Sequence, residues 1–194
     1  NGIERLRLHA LLDGRRVGGQ SADRYVREIE DVFAELNQQG VDYRIASGGG
    51  RMLITMDRYE ADWDMVEEGW KTHVLGQGPE WESALDSIEK ARDDDPDLND
   101  QYQPPFVIVE DGEPVGPIED GDAVLMFNFR GDRASELSRA FDVDDFDEFD
   151  RQRRPDVLFV GMMQYDGDLG IPRRFLVSPP KITGTMGELL ARSE

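Results

Sequence analysis

Apolar residues recur along this chain with two different periods, and the period changes where turn residues fall. Leu6, Leu8, Leu11 and Leu12 predict a strand over Arg5 to Leu12, closed by the turn Asp13-Gly14-Arg15-Arg16. Val26, Ile29, Val32, Phe33 and Leu36 sit at helical spacing, so Ala22 to Gln39 reads as a helix with Ser21 as its N-cap and Gly40 as its stop. A short strand is expected over Asp42 to Ala46, broken by Gly48-Gly49-Gly50, with Met52 to Met56 as a second extended piece. Glu60 to Leu75 and Glu80 to Arg92 carry helical patterns, and the stripe Trp63, Val66, Trp70, Val74 is assigned to the core.

Asp93 to Asp100 reads as a solvated loop, because it lacks the glycine and closing glutamate of a calcium-binding EF-hand loop. Phe106 to Val109 and Pro114 to Ile118 flank Asp111-Gly112, a favoured hairpin turn. Ala123 to Phe129 and Val157 to Met163 are apolar runs of the kind buried on both faces of a sheet. Between them lie Arg130-Gly131-Asp132-Arg133 and a helix through Arg139; a short strand, Arg174 to Val177, and a helix, Thr185 to Ala191, close the chain. Strands alternating with helices predict an α/β fold, three α/β/α layers around a mainly parallel, mixed sheet.

Composition narrows the classes. The 194 residues suit one domain, with 38% hydrophobic and 9% aromatic residues for its core. The absence of cysteine excludes disulfides and thiolate sites and fits a reducing compartment, so cytoplasm is expected. No apolar run approaches the roughly 18 residues of a membrane span. A formal charge of −20 repels phosphate polymers, so neither nucleic acid nor membrane is an expected partner. Of the 22 basic residues only Lys71, Lys90 and Lys181 are lysines. Codon usage or a salt-adapted surface accounts for such a bias as well as function does.

Arginine matches carboxylate and phosphate bidentately, and ligands of open α/β sheets bind beyond the carboxyl ends of strands. Arginines fall at such places as Arg15 with Arg16, Arg51 with Arg58, and Arg130 with Arg133. Their convergence points to a small anionic ligand; the competing reading pairs each with a nearby aspartate, Asp13, Asp57 or Asp132. With His9 and His73 as the only histidines, no histidine-rich metal site is expected, and His9 reads as a satisfied strand residue. Nothing in the sequence marks Ser47 as activated by a base.

Seven stretches then carry a resemblance: Ser47-Gly48-Gly49-Gly50-Arg51, Thr55-Met56-Asp57-Arg58-Tyr59, Asp100-Gln101-Tyr102, Pro104-Pro105-Phe106-Val107-Ile108-Val109, Asp120-Gly121-Asp122-Ala123, Phe127-Asn128-Phe129-Arg130-Gly131-Asp132-Arg133 and Met163-Gln164-Tyr165-Asp166-Gly167. In order from about Leu8 to Leu190, they resemble cofactor-independent phosphoglycerate mutase. That family pairs a phosphatase-like domain, holding manganese and a serine nucleophile, with an inserted domain that grips phosphoglycerate. The resemblance implies that residues 1–194 are most of the inserted domain, cut short at its start, with the phosphatase-like domain absent. It implies a monomeric isomerase of glycolysis and gluconeogenesis that interconverts 3-phosphoglycerate and 2-phosphoglycerate through a phosphoserine. It places substrate-binding arginines on Arg15, Arg51, Arg58, Arg130 and Arg133, and no catalytic residue, metal or cofactor on this chain. Arg16 stands where the family has an aspartate that contacts substrate. The expected partners are the two phosphoglycerates and the phosphatase-like domain, and the chain alone is expected to be inactive. A stand-alone anion-binding or regulatory protein derived from that enzyme is the alternative.

Overall fold

The computed structural model describes residues 2–178 and 182–192. It contains strands β1 (Arg5–Leu12), β2 (Asp42–Gly50), β3 (Glu80–Trp81), β4 (Phe106–Glu110), β5 (Glu113–Pro114), β6 (Ala123–Met126), β7 (Leu158–Met163) and β8 (Phe175–Val177). The helices are α1 (Ala22–Asn37), α2 (Trp63–Trp70), α3 (Ala84–Asp94), α4 (Ser135–Asp142) and α5 (Met186–Ala191). The α/β class read from the sequence holds, with its strands divided between two sheets. One runs β1-β2-β4-β3, with β5 paired to β4; the other runs β6-β7-β8. Pairing is parallel for β1-β2, β3-β4, β6-β7 and β7-β8, and antiparallel for β2-β4 and β4-β5.

Each sheet has its own core. α1 and α3 cover the first sheet, where Val26, Ile45, Ile88, Phe106 and Ile108 pack together. Under the second sheet, Met126 and Phe159 meet Trp70 and Val74 and the α4 residues Leu137 and Phe141. α2 continues as a π-helical turn, Lys71–Leu75, and this element touches both sheets. Its Trp70 and Val74 face the second core, while His73 Nδ1 lies 2.7 Å from Ser47 Oγ on β2.

Several sequence expectations change for identifiable reasons. β2 runs through Gly48, Gly49 and Gly50 instead of breaking there. A Cβ at Gly48 would lie 2.4 Å from the Phe106 ring, and one at Gly50 would lie 2.4 Å from the Gln101 carbonyl oxygen. The glycines permit close packing within the strand. Met52 to Met56 is turn rather than extended, because Leu53 and Ile54 amides fold back onto the Gly50 carbonyl. The helix expected from Glu80 starts at Ala84, since Glu80 and Trp81 pair with β4 and Ser83 caps α3 by accepting from Asp86 N.

Ser21 makes no side-chain cap on α1; the Asp100 carboxylate, from the expected solvated loop, accepts from Ser21 N at 2.7 Å and Ala22 N at 2.8 Å. Asp100 is buried and paired with Arg92 at 3.0 Å. The expected strand Ala123 to Phe129 ends at Met126, and it is not buried on both faces. Leu125, Phe127 and Phe129 are exposed. β7 likewise leaves Leu158 exposed, and the strand expected over Pro114 to Ile118 is limited to Glu113–Pro114.

Candidate functional site

The carboxyl ends of β1, β2 and β6 converge on a group of arginines. After β1, Asp13 Oδ2 accepts from Arg16 N at 2.9 Å and its Oδ1 accepts from Arg51 Nη1 at 2.6 Å. Gly14 allows this turn: its φ is +54°, and a Cβ there would lie 2.2 Å from Asn99 Oδ1. Arg51 follows β2 directly, and its backbone N–H donates to Leu12 O at 3.1 Å. The turn after β2 is therefore stapled to the end of β1.

The next loop is tied to the second sheet. Asp57 Oδ2 accepts from Ala61 N and Asp62 N, which fixes the conformation around Arg58. Arg58 Nη1 donates to Asp132 at 3.3 Å, and its guanidinium lies 4.6 Å from the Tyr59 ring centre. Arg133, just before α4, donates to the Met56 carbonyl. Glu136, in the first turn of α4, accepts from Glu60 N at 2.9 Å. Arg51, Arg58 and Arg133 are close enough that partial burial first, and the Arg51 and Arg58 charges second, lower the Arg133 pKa. Burial, with the neighbouring Asp57 carboxylate as a further cause, raises Glu136 to about 6. Arg51 also keeps a buried Nε with no hydrogen-bond partner.

Like charges held together with an unmet donor among them favour an anion. The aspartates do not quench the arginines in the local pairs that the sequence offered. Arg51 takes Asp13 and Arg58 takes Asp132, so the carboxylates link separate segments. The structure thus brings Arg51, Arg58 and Arg133 together. Arg15 and Arg16 are exposed on the adjoining turn, held near Arg51 through Asp13. Arg130 is exposed, 5.6 Å from the Phe129 ring centre. Among the described residues, Arg15, Arg16 and Arg130 have no ion-pair partner.

Sequence reasoning missed the Met56 carbonyl, which has no sequence signal, and the buried carboxyl Glu136, whose only hint was its place after Arg133. It also missed the setting of Ser47. Ser47 Oγ lies 2.8 Å from His9 Nδ1 and 2.7 Å from His73 Nδ1, so two imidazoles flank it, and no sequence spacing linked these positions. At 1% exposure Ser47 cross-braces β1, β2 and the π-helical turn. A separate open cleft of about 580 Å³ is lined by Arg154, Arg173 and Arg174 with Asp142, Asp144 and Asp156; its Arg154 is paired with Asp144 at 2.5 Å. Among the described residues, no group of three or more His, Asp or Glu side chains is arranged to hold a metal ion, and no helix is long and apolar enough to cross a membrane.

Fold and site define an α/β module that carries a group of arginines at its strand ends. Residues 1–167 match the family model described as BPG-independent PGAM N-terminus, and the chain belongs to that family. It is 57% identical over 194 residues to a 2,3-bisphosphoglycerate-independent phosphoglycerate mutase of Trypanosoma brucei brucei, covering 100% of this chain and 35% of the relative. The enzyme of the same name from Zea mays is 51% identical over 194 residues, covering 99% and 34%. A crystal structure of Leishmania mexicana phosphoglycerate mutase at low cobalt concentration superimposes with a TM-score of 0.95 and 54% identity, over 99% of this chain and 35% of that one. The chain thus spans about a third of the length of these relatives.

Proposed function

We propose that this chain is the substrate-binding part of a phosphoglycerate mutase that interconverts 3-phosphoglycerate and 2-phosphoglycerate. The convergence of Arg51, Arg58 and Arg133 across three separate segments carries the reading. A phosphoglycerate has two anionic ends, a carboxylate and a phosphate, and arginine forks set at fixed separations would hold it in one orientation. Arg51 keeps a buried Nε without a hydrogen-bond partner, Arg58 and Arg133 are half-buried, and Arg15, Arg16 and Arg130 are exposed. These residues position the substrate; the phosphoserine chemistry belongs to a phosphatase-like part of the longer enzyme. The described residues here do not fit a manganese ion, so any manganese would be held by that other part. The reading includes a monomeric, cytoplasmic enzyme of glycolysis and gluconeogenesis.

The test is a titration of the chain with 3-phosphoglycerate, followed by backbone amide NMR shifts. The largest shifts are expected at Arg51, Arg58, Arg130 and Arg133, and Arg51→Ala is expected to weaken binding by about tenfold or more, the equivalent of about 1.4 kcal/mol. Shifts confined to α3, or an unchanged affinity in Arg51→Ala, would reject the site.

A further inference from the structure

The loop that carries Arg58 is strained and is held from one side. Tyr59 and Glu60 have φ of +70° and +56°, a backbone region that residues with a Cβ seldom occupy. Such a loop keeps its shape only through its ties. Asp57 Oδ2 accepts from Ala61 N at 2.8 Å and Asp62 N at 2.9 Å, and the start of α4 supplies the other ties. Arg133 donates to the Met56 carbonyl, Glu136 Oε1 accepts from Glu60 N at 2.9 Å, and Arg139 Nη1 donates to the Glu60 carboxylate at 2.6 Å.

Two carboxyl groups meet under this loop. Asp57 and Glu136 are both buried, at 7% and 3% exposure, and Asp57 lies within hydrogen-bonding reach of the Glu136 carboxyl. Glu136 Oε2 is buried without a hydrogen-bond partner. Two facing carboxylates offer acceptors only, and a proton on one of them supplies the missing donor. Asp57 Oδ2 already takes two N–H groups, so the oxygen free to carry that proton is Glu136 Oε2. The charged groups around the pair are Glu60 on the loop, Arg58 with Asp132, and Arg133 and Arg139, the last also paired with Glu148 at 2.8 Å. α2 meets α4 through Val66 and Trp70, and its Glu67 pairs with Lys71 at 2.7 Å. The charges that act on Glu136 from the loop, Asp57 and Glu60, are both negative and reinforce burial in favouring the neutral acid.

We propose that Glu136 is a positioning residue of the anion site: as a neutral acid it donates its Oε2 proton to Asp57 while accepting from Glu60 N, and this clamp holds the strained loop so that Arg58 serves the bound anion with Arg51 and Arg133. The inference rests on reading the arginine group as an anion site. Ionising Glu136 replaces the hydrogen bond of the clamp with repulsion between two carboxylates and adds a negative charge beneath the arginines. Both changes weaken the hold on an anion. By linkage, a bound anion strengthens the hold of Glu136 on its proton by the same factor, so proton and anion enter together. A glutamine at this position would keep both hydrogen bonds, its NH2 donating to Asp57 and its carbonyl accepting from Glu60 N, and would lose the dependence on a proton. An alanine would lose both bonds.

Sulfate is the probe, because its charge is constant between about pH 5 and about pH 8, where burial also keeps His9 and His73 neutral. The chain is titrated with sodium sulfate at constant ionic strength, and the amide shifts of Arg51, Arg58 and Arg133 are followed. Affinity should fall about tenfold or more from the lower pH to the higher. Glu136→Gln should bind at the higher pH within about twofold of the unaltered chain at the lower, and Glu136→Ala should bind about fivefold or more weakly than Glu136→Gln at both. In the unaltered chain, saturating sulfate should raise the midpoint of the Glu136 carboxyl carbon shift by about one pH unit, the counterpart of that tenfold change. The glutamine profile and the carboxyl midpoint decide the matter without the alanine chain, should that chain unfold. An affinity independent of pH, or an unmoved midpoint, would overturn the inference and leave the anion site standing. Equal affinity in Glu136→Gln and Glu136→Ala would overturn the clamp, since charge alone would then account for the effect. Absence of sulfate shifts at the three arginines at either pH would overturn the anion reading and this inference with it.

Discussion

The two halves of the molecule are held together by different chemistry. The interior of the first sheet is knit by polar bridges: Ser47 between His9 and His73, the Gln103 amide donating to Ser87, and Asp100 against Arg92 and the start of α1. The second is packed with rings. Phe141 stacks on Phe159 at 4.6 Å and tilts against Trp70 at 4.8 Å, and Trp63, Phe146 and Phe149 extend the cluster. Hydrogen bonds fix direction, whereas ring packing tolerates small shifts and supplies most of its energy through buried area. Arg51 and Asp13 grow from the bonded half, Arg130 and Arg133 from the ring-packed half. The site at the seam inherits fixed backbone from one side and bulk stability from the other.

Removing a ring should therefore cost more than removing a bond. Trp70 is fully buried, and its indole N–H donates to the Arg151 carbonyl at 2.9 Å. Trp70→Ala should lower unfolding free energy by about 4 kcal/mol, read from urea denaturation. The matching change in the other half, Ser47→Ala, leaves two imidazole nitrogens without their partner and should cost about 3 kcal/mol. A Ser47→Ala chain less stable than Trp70→Ala would reverse the comparison.

The halves should also respond to acid in opposite directions. Burial lowers His9 to about 4 and holds His73 well below its usual value, so both are neutral when folded. Their contribution is complete above pH 6.5 and is lost as pH falls toward 4, because the unfolded chain binds the protons first. Glu136 is the reverse case. Its carboxyl is raised from 4.5 to about 6, so folding binds the extra proton, and the cost of its charge eases as pH falls from 6 to 4.5. Glu136→Gln should add about 2 kcal/mol at pH 7 and nothing at pH 4.5, which steepens the acid loss left by the histidines. Denaturation profiles of equal slope in both chains would show that Glu136 carries no such penalty.

The sequence made the elements legible wherever one segment's own pattern decided them. The ring-packed core follows from Trp63, Val66, Trp70 and Val74 at helical spacing, and Arg51 and Arg133 stood out by their places beyond strands, whereas Arg58 was reached through an expected extended piece, Met52 to Met56, that folds as a turn. What stayed hidden depended on a distant partner. Gly48 and Gly50 look like a break until Phe106 and Gln101 are seen against them. Asp100 looks solvated until it caps α1, and Asp13 looks local to Arg15 until Arg51 reaches it. The division into two sheets had no local signal, because each strand reads the same whichever neighbour it pairs with.

The smallest effect on stability and the finest probe of the seam is Arg16→Asp. Arg16 is exposed and without an ion-pair partner among the described residues; its backbone amide, not its side chain, holds Asp13. Replacing an exposed side chain without partners should move unfolding free energy by no more than about 0.5 kcal/mol. Its effect on the reaction should be larger than its effect on the fold. A guanidinium has donors only, whereas an aspartate accepts, so the substitution offers an acceptor to a glycerate hydroxyl at the cost of one attraction for the anion. In the longer polypeptide, kcat for 3-phosphoglycerate should rise while the affinity for inorganic phosphate stays level or falls, because orientation improves and charge does not. A variant with lower kcat would show that Arg16 itself grips the substrate. The exposed approach would then belong with Arg51, Arg58 and Arg133 as part of one continuous arginine cradle.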